Sequence, residues 1–118
     1  ADLVWGSEVR DGAGVAGTRF AKGTSLTMAA VISNPCTTDV TFTTPDSCLV
    51  QSWEVVDASG MGQGVAVACA AVVTSWTVPA GGTLEDTMAW GREPVNSYVL
   101  KVGYNYGGYS SSTNFSVF

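Results

Sequence analysis

The chain is predicted to fold as an all-β, antiparallel sandwich of about seven to nine short strands. Hydrophobic residues alternate with polar or small ones along most of its length, and this period of two is typical of half-buried strands. Glycine, proline, aspartate or asparagine stands at the ends of these runs, where turns belong. No segment sustains the spacing of an amphipathic helix, so neither a helical nor a βαβ fold is expected.

Each strand is predicted from one alternating run and the turn that closes it. The run Leu26 to Ser33 stops at Asn34-Pro35, because proline cannot continue a central ladder. The run Val50 to Val56 is followed by the turn residues Asp57 to Gly60. Many short strands between turns favour an immunoglobulin-like sandwich. Further strands are predicted over residues 40–44, 65–69, 72–78, 84–90, 98–106 and 115–118, with 2–5 as another candidate and 107–113 as a loop.

Two parts of the pattern leave alternatives open. Asp86 falls on the apolar side of its run, which indicates either a slip in register or an edge strand. The N-terminal segment begins with the strand-like Leu3-Val4-Trp5 and then becomes glycine-rich. It is either the first strand of its own sandwich or an arm that docks on a neighbour's sheet edge. We therefore divide the chain into residues 1–21, arm or first strand, and one sandwich domain over residues 22–118.

Charged residues are scarce on this chain. They make up 13% of it, against about 25% in an ordinary soluble domain, and a surface so poor in charge is expected to be covered. The ten carboxylates exceed the five basic residues, which gives a net charge of -5. Nucleic acid and anionic membrane surfaces are not expected partners, because both require basic patches. No apolar stretch is long enough to span a bilayer.

The three cysteines indicate whether the protein belongs in an oxidising or a reducing compartment. A bond between Cys48 and Cys69 would close a loop of about twenty residues and stabilise the fold by roughly 3 kcal/mol. Cys36 would then be unpaired or form an intermolecular bond; a Cys36–Cys48 bond, or three reduced cysteines, are the alternatives. A disulfide favours an extracellular or cell-surface location, or a virus particle. The start at Ala1 is consistent with a removed leader, an excised methionine or numbering that begins inside a longer chain.

A series of turn and core residues runs through the later part of the chain. They are Asn34-Pro35, Val40-Thr41-Phe42, Trp53 to Gly60, Pro79-Ala80-Gly81, Trp90 and Tyr98. In this order they resemble the bacterial intracellular proteinase inhibitor family known as BsuPI. The resemblance implies an immunoglobulin-like sandwich and, as an activity, the presentation of a loop to a protease. The chain departs from the family pattern at Gly60 to Ala71, which is small and apolar, and no inhibitory residue can be carried over.

No catalytic site is expected. The chain has no histidine, which excludes a Ser-His-Asp triad and, together with the lack of a Cys-x-x-Cys spacing, argues against a zinc site. Glu85 and Asp86 are neighbours on a strand and should point to opposite faces, so they cannot work as a pair. The glycine-rich stretches Gly60 to Gly64 and Gly103 to Gly108 lack the Gly-Lys-Ser/Thr ending of a phosphate loop. No enzyme activity, cofactor or metal is predicted.

Aromatic residues are the remaining candidates for binding. Tyr104 and Tyr106 share one face by alternation, which favours the sandwich interior. Tyr104, Tyr106 and Tyr109 with Trp5 would also suit a partner surface or a platform for sugars. Phe118 is expected to be buried, within its own chain in the first place or else in a neighbour. The partner-contact candidates are therefore Leu3, Val4, Trp5, Tyr106, Tyr109 and Phe118.

These observations predict a non-catalytic structural or adhesive subunit. It would be an immunoglobulin-like module of a cell-surface, extracellular-filament or virion assembly. Its partners would be other protein chains, including copies of itself, bound partly through strand addition. A proteinase inhibitor-like binding module is the alternative that the family resemblance implies, and a glycan-binding module is the third hypothesis.

Overall fold

The computed structural model describes residues 2–118, and in that range it contains eleven β-strands and no helix. The protein is therefore all-β, as predicted. No helix that could cross a membrane occurs in the described part of the chain. The strands are β1 (Val4–Arg10), β2 (Ala16–Gly17), β3 (Arg19–Phe20), β4 (Leu26–Ser33), β5 (Val40–Thr44), β6 (Val50–Asp57), β7 (Gly62–Val65), β8 (Thr74–Val78), β9 (Thr83–Gly91), β10 (Asn96–Tyr104) and β11 (Ser110–Val117).

The strands form two large sheets and one small one. The four-stranded sheet has the order β2-β1-β4-β9, and the five-stranded sheet has the order β3-β11-β10-β6-β7. The two-stranded sheet consists of β5 and β8. Neighbouring strands run antiparallel, except that β3 lies parallel to β11. One hydrophobic cluster joins residues of all three sheets, so the architecture is sandwich-like.

Alternate residues of facing strands build the core. From the four-stranded sheet, Met28 and Ile32 of β4 are completely buried. From the five-stranded sheet, Trp53 of β6 and Leu100 of β10 are at most 2% exposed. Burying a side chain of this size contributes about 1.5–3 kcal/mol. Alternate side chains of these strands therefore enter the core, as the hydrophobic alternation in the sequence predicts.

Asn34 ties the two-stranded sheet to the end of β4. Its side chain is 2% exposed, and its Nδ2 group donates hydrogen bonds to the carbonyls of Thr38 at 2.9 Å and Val78 at 3.0 Å. Its Oδ1 atom accepts a hydrogen bond from the backbone N–H of Cys36 at 3.0 Å. The turn predicted at Asn34-Pro35 is thus also a buried polar anchor, with its amide satisfied on both ends.

Most predicted strand boundaries lie within two residues of the observed ones, and three do not. The number of strands is eleven instead of the predicted seven to nine, because the two-residue strands β2 and β3 carry no alternating pattern. β7 occupies Gly62–Val65 instead of 65–69, and β11 begins at Ser110, inside the predicted loop. β1 continues to Arg10, beyond the predicted 2–5. The missed parts consist mainly of glycine, serine and other polar residues, so hydrophobic alternation does not mark them. Pairing with a neighbouring strand determines their conformation instead.

The N-terminal segment contributes strands to both large sheets of its own chain. β1 pairs with β4 along its whole length, from Val4 opposite Ser33 to Arg10 opposite Thr27. β2 continues the four-stranded sheet beside β1. β3 then crosses to the five-stranded sheet, where it pairs with the end of β11. The chain therefore links the two layers of the sandwich within its first twenty residues.

Asp86 lies on an edge strand, which is one of the two alternatives predicted for it. β9 is the last strand of the four-stranded sheet, and its register with β4 is continuous from Ser33 to Thr27. The side chain of Asp86 therefore points to the inner face of the sheet and is partly buried. Burial raises the pKa of Asp86, against the opposing effect of the hydrogen bond from the Thr87 backbone.

Replacing Asn34 tests the polar anchor. Asn34→Ala removes the hydrogen bonds to the buried Val78 carbonyl, the partly buried Thr38 carbonyl and the Cys36 N–H, and we expect it to lower the free energy of unfolding by about 1–3 kcal/mol. Urea unfolding followed by tryptophan fluorescence measures this loss. Asn114→Ala on the exposed surface of β11 is the matched control, with little effect expected. A loss below about 1 kcal/mol for Asn34→Ala contradicts the anchoring role.

Asp86→Asn tests the buried carboxyl through pH. The folded pKa lies above 3.8, its ordinary value, so ionisation of Asp86 destabilises the fold at neutral pH, and this cost disappears as the pH falls through the folded pKa. We expect the variant to have a higher melting temperature than the wild type at pH 7 and the same one at pH 3.8. Glu54→Gln, which removes the same charge from β6, controls for net charge. If the difference in melting temperature between Asp86→Asn and the wild type does not change with pH, ionisation of Asp86 does not destabilise the fold.

Candidate functional site

A four-residue turn, Tyr106 to Tyr109, connects β10 to β11. The backbone N–H of Tyr109 donates to the carbonyl of Tyr106 at 3.2 Å, and the two residues between them, Gly107 and Gly108, have φ values of 61° and 71°. Two consecutive positive φ values are the pattern of a type I′ turn, which glycine adopts without steric cost. Because the ends of a turn lie within about 7 Å of each other, the two tyrosines stand side by side.

Trp5 of β1 packs against both tyrosines. Its ring stacks on Tyr109 with centroids 4.5 Å apart and lies 5.7 Å from the ring of Tyr106. The two tyrosine rings are 6.2 Å apart and within 10° of parallel. A column of three stacked rings would separate the outer two by at least about 7 Å, twice the carbon–carbon contact distance. Trp5 therefore does not separate the two tyrosine rings as the middle of such a column, and we call Trp5, Tyr106 and Tyr109 the aromatic platform.

Two buried rings hold Trp5 in place. Phe42 and Tyr104 contact it edge to face, with centroids 5.3 Å and 5.0 Å away. The hydroxyl of Tyr104 donates to the carbonyl of Gly6, and burial raises the pKa of Tyr104 to about 12, so this donor stays protonated at neutral pH. Trp5, Phe42 and Tyr104 belong to three different sheets. The aromatic platform therefore rests where all three sheets meet.

The tyrosines of the platform are open to solvent. Tyr106 is 40% exposed and Tyr109 is 46% exposed. The expectation that Tyr106 shares the interior with Tyr104 is wrong, because β10 ends at Tyr104 and the turn directs Tyr106 outward. A shallow pocket of about 180 Å³ lies beside the rings. Besides the platform, its lining consists of Asp2, Leu3, Val40, Thr41 and Phe42.

Four of the six predicted partner-contact residues meet at this pocket. They are Leu3, Trp5, Tyr106 and Tyr109. Val4 is 57% exposed and lies on the other side of β1, because successive side chains of a strand point to opposite faces. Sequence reasoning missed Phe42 and Thr41 as pocket residues. Their strand, β5, is far from the other residues in sequence and shows only the ordinary alternation of a core strand.

Phe118 lies apart from the platform, beyond the far end of β11. Its side chain is 58% exposed, so the expectation that it is buried within its own chain is wrong. The guanidinium of Arg19 lies over its ring, 4.8 Å from the centroid. Its backbone is fixed by hydrogen bonds with Phe20 and Lys22. Phe118 therefore belongs to a separate surface.

The free edge of β7 is a second candidate surface. β7 pairs with β6 on one side and, within residues 2–118, with no strand on the other. We call residues 60–73, which include β7 and the loop after it, the apolar edge; they contain neither a charged residue nor a proline. Met61, Val72 and Val73 in this segment are 70%, 60% and 71% exposed. Edge strands are normally protected by charges, prolines, bulges or a covering segment, and this edge has no charge or proline to protect it.

A disulfide fastens the apolar edge to the segment before β6. It joins Cys48 to Cys69, with the two Cα atoms 5.5 Å apart, as predicted. Ser47 and Ala70 reinforce the link, since the Ser47 N–H donates to the Ala70 carbonyl and the Ala70 N–H donates to Ser47 Oγ. Cys36 is partly buried and has no disulfide partner in residues 2–118. The apolar edge is therefore held in one position, although no strand of residues 2–118 pairs with its outer side.

Asp46 lies beside the disulfide and orders the neighbouring loops. Its carboxylate and the two sulfurs lie within 4.8 Å of one another, but the sulfurs are bonded to each other and offer no thiolate to a metal ion. Asp46 Oδ1 accepts hydrogen bonds from the Cys48 N–H at 3.0 Å and from Asn105 Nδ2 at 2.7 Å. Asn105 immediately precedes the Tyr106 turn, so Asp46 connects the disulfide to the aromatic platform.

The charged groups on the outside of the four-stranded sheet are paired with one another. Arg10 donates to Glu8 at 2.7 Å and, through both terminal nitrogens, to the two oxygens of Glu85 at 2.9 Å and 3.2 Å. These hydrogen bonds raise the pKa of Arg10. Glu85 thus faces outward while Asp86, the next residue, faces inward. The two carboxyl groups lie on opposite sides of the sheet, as their positions in the strand predict.

Comparison with protein-family models finds none that matches the chain, and comparison with curated proteins finds no match in sequence. The resemblance to the BsuPI family therefore stays a prediction. The function has to be inferred from the two candidate surfaces, the aromatic platform and the apolar edge.

Removing the disulfide tests its contribution to the stability of the fold. The free energy of unfolding of the double variant Cys48→Ser/Cys69→Ser should be about 3 kcal/mol lower than that of the wild type, because this is the loss expected for a loop of this size. Dithiothreitol should shift the urea unfolding midpoint of the wild type equally and leave that of the variant unchanged. Cys36→Ser serves as the control and should behave like the wild type. Equal stability of double variant and wild type contradicts the prediction.

Proposed function

We propose that the protein is a non-catalytic structural subunit that associates with copies of itself through the apolar edge. The observation that carries this proposal is an exposed edge strand without a charge or a proline, fastened by a disulfide. An edge of this kind is a template for pairing with another strand. The scarcity of charge on the whole chain, 13% of residues, supports the same conclusion.

A second copy of the chain is the partner that fits this edge. Two β7 strands can pair antiparallel about a two-fold axis, so that each supplies the hydrogen-bonding groups that the other lacks. The five-stranded sheet would then continue across the interface. The net charge of -5 makes two copies repel in most orientations, but the apolar edge itself carries no charged residue. On the adjacent strand β6, the Glu54 carboxylate lies close to Gly62 of β7. Gly62 and Gly64 also have no side chains to hold the strands apart.

Apolar side chains around β7 would strengthen the pairing. β7 itself has only four residues, so its hydrogen bonds alone form a small interface. Met61, Val65, Val72 and Val73 are all exposed, and covering them would contribute about 25 cal/mol per Å² of apolar surface removed from water. The strand pairing would set the register, and these side chains would supply much of the affinity.

The strand connectivity supports an immunoglobulin-like architecture for this subunit. In such a fold β1, β4 and β9 would be strands A, B and E, and β11, β10, β6 and β7 would be strands G, F, C and C′. The hydroxyl of Tyr98, near the start of β10, donates to the carbonyl of Pro94 at 2.5 Å, which corresponds to the tyrosine corner of such domains. β8 departs from the pattern, because it pairs with β5.

The disulfide supports a location outside a reducing compartment. Cytosolic thiol systems keep most cysteine pairs reduced, whereas the Cys48–Cys69 bond here fastens the surface on which the proposed association depends. A cell surface, an extracellular filament or a virus particle would each preserve the bond. The same bond would keep the apolar edge in position in such surroundings.

Charging the edge tests the proposed association. Light scattering after size-exclusion chromatography should show that the average mass of the wild type rises with concentration. The variant Gln63→Lys/Val65→Lys should remain monomeric, because pairing would bring four added lysines together without partners. Its circular dichroism should match the wild type, since both residues are exposed on the edge.

The matched control for this experiment is Val15→Lys/Val95→Lys, which introduces the same charge at two valines that are 61% and 57% exposed but lie outside the apolar edge. It should associate like the wild type. The proposal is overturned if the wild type stays monomeric up to about 1 mM. At that concentration a binding free energy of only about 4 kcal/mol already gives a detectable amount of dimer. If the Gln63→Lys/Val65→Lys variant associates like the wild type, β7 is not the interface.

A further inference from the structure

We propose that the aromatic platform binds a neutral saccharide, with one hexose ring seated on Tyr106 and Tyr109. This site is separate from the apolar edge, and the proposed self-association does not use it. The inference rests on the shape, the size and the polar lining of the pocket beside Trp5.

The shape of the platform fits the flat face of a sugar ring. The rings of Tyr106 and Tyr109 are within 10° of parallel, with centroids 6.2 Å apart, and both rings contact Trp5. Tyr106 is 40% exposed and Tyr109 is 46% exposed. The face of an aromatic ring is electron-rich, and a hexose ring presents C–H groups on its flat face that carry slight positive charge. The two surfaces are therefore complementary in shape and polarity.

The size of the pocket limits the ligand to about one ring. Its volume of about 180 Å³ is below the roughly 300–1,000 Å³ of sites that enclose drug-sized molecules. A pocket of this volume is also too small to enclose a helix. A longer saccharide can still bind, because the open sides of the pocket let neighbouring sugar units extend into solvent.

The polar groups of the pocket suit hydroxyl groups and disfavour anions. Asp2, Thr41 and the two tyrosines belong to the lining. Their carboxylate and hydroxyl groups are of the kinds that donate to and accept from sugar hydroxyls, although the Thr41 hydroxyl is also hydrogen-bonded to Thr77 at 3.0 Å. Among the lining residues that the structure describes, Asp2 is the only charged one. With a net charge of -5 on the chain, anionic ligands are repelled. A neutral saccharide therefore fits this pocket better than an anionic one does.

The platform is assembled before a ligand arrives. Trp5 is locked between Phe42 and Tyr104, and the backbone at Gly107 approaches Tyr109 so closely that a Cβ there would lie 2.8 Å from the ring. Rings already held in the bound orientation lose little freedom on binding. This arrangement also provides a way to disturb the platform without removing an aromatic ring.

The test uses the full chain and three neutral probes: cellotetraose, mannotetraose and maltotetraose. Each is titrated while tryptophan fluorescence and the amide signals of Gly107 and Gly108 are recorded by ¹H–¹⁵N NMR. At least one probe should shift these signals in a saturable manner. Tyr109→Ala should weaken that binding at least about tenfold, which corresponds to about 1.4 kcal/mol. Tyr106→Phe keeps the ring and should still bind.

A pair of glycine variants separates the platform from general effects on folding. Gly107→Ala and Gly81→Ala both place a side chain at positive φ, 61° and 67°. A side chain at Gly107 meets the Tyr109 ring, whereas one at Gly81, in the turn before β9, meets no atom within 4 Å apart from its chain neighbours. Both variants should lose similar stability, as judged by melting temperature. Gly107→Ala should bind the saccharide more weakly than Gly81→Ala does. Equal affinities contradict the platform geometry.

Three other outcomes overturn the proposal. The first is that none of the probes shifts the signals at concentrations up to about 10 mM. This limit lies well above a dissociation constant of about 1 mM, which corresponds to a binding free energy of about 4 kcal/mol. The second is unchanged binding in a folded Tyr109→Ala variant. The third is that a proline-rich peptide occupies the platform while the saccharides do not. Gln63→Lys/Val65→Lys should bind the saccharide like the wild type, so failure of the proposed self-association is distinguishable from failure here.

Discussion

The packing of Trp5 is the interaction on which this end of the molecule depends. Trp5 belongs to the four-stranded sheet and contacts Phe42 of the two-stranded sheet and Tyr104 of the five-stranded sheet. Without its ring the three sheets would meet around a cavity, since neighbouring side chains fill such a space only in part. The exposed Tyr106 and Tyr109 would also lose the surface against which they stack. One ring thus closes the core on its inner side and supports the platform on its outer side.

Polar contacts and the disulfide connect the two candidate surfaces. Asn105 at the end of β10 donates to Asp46 Oδ1 and to the Cys48 carbonyl, and Cys48 is bonded to Cys69 at the end of the apolar edge. Hydrophobic burial has no direction, whereas hydrogen bonds and a disulfide fix the relative position of the groups they join. The loop that carries the tyrosines and the loop that follows β7 are therefore held to one framework, although both surfaces remain exposed.

Individual residues show how far prediction from the sequence could go. β4 and β5 were predicted to the residue, because alternation there coincides with burial and ends at strong turn residues. Ser110 to Thr113 were predicted as loop because serine runs have no apolar face, yet β10 pairs with each of them. At the candidate site, Leu3, Trp5, Tyr106 and Tyr109 were predicted, whereas Phe42 was not. Nothing in the sequence indicates that β5 passes beside β1.

The sequence by itself determined that the protein is all-β, where most of its turns lie and that Cys48 and Cys69 stand at the ends of one loop. These are local properties, set by the alternation of side chains and by the backbone preferences of glycine, proline, asparagine and aspartate. Only the tertiary structure decided that β5 pairs with β8, that β7 is left as an edge and that Trp5 lies under a turn about one hundred residues later in the chain. A strand can pair with many others at similar local cost, and the choice among them is made when all the sheets pack around one core.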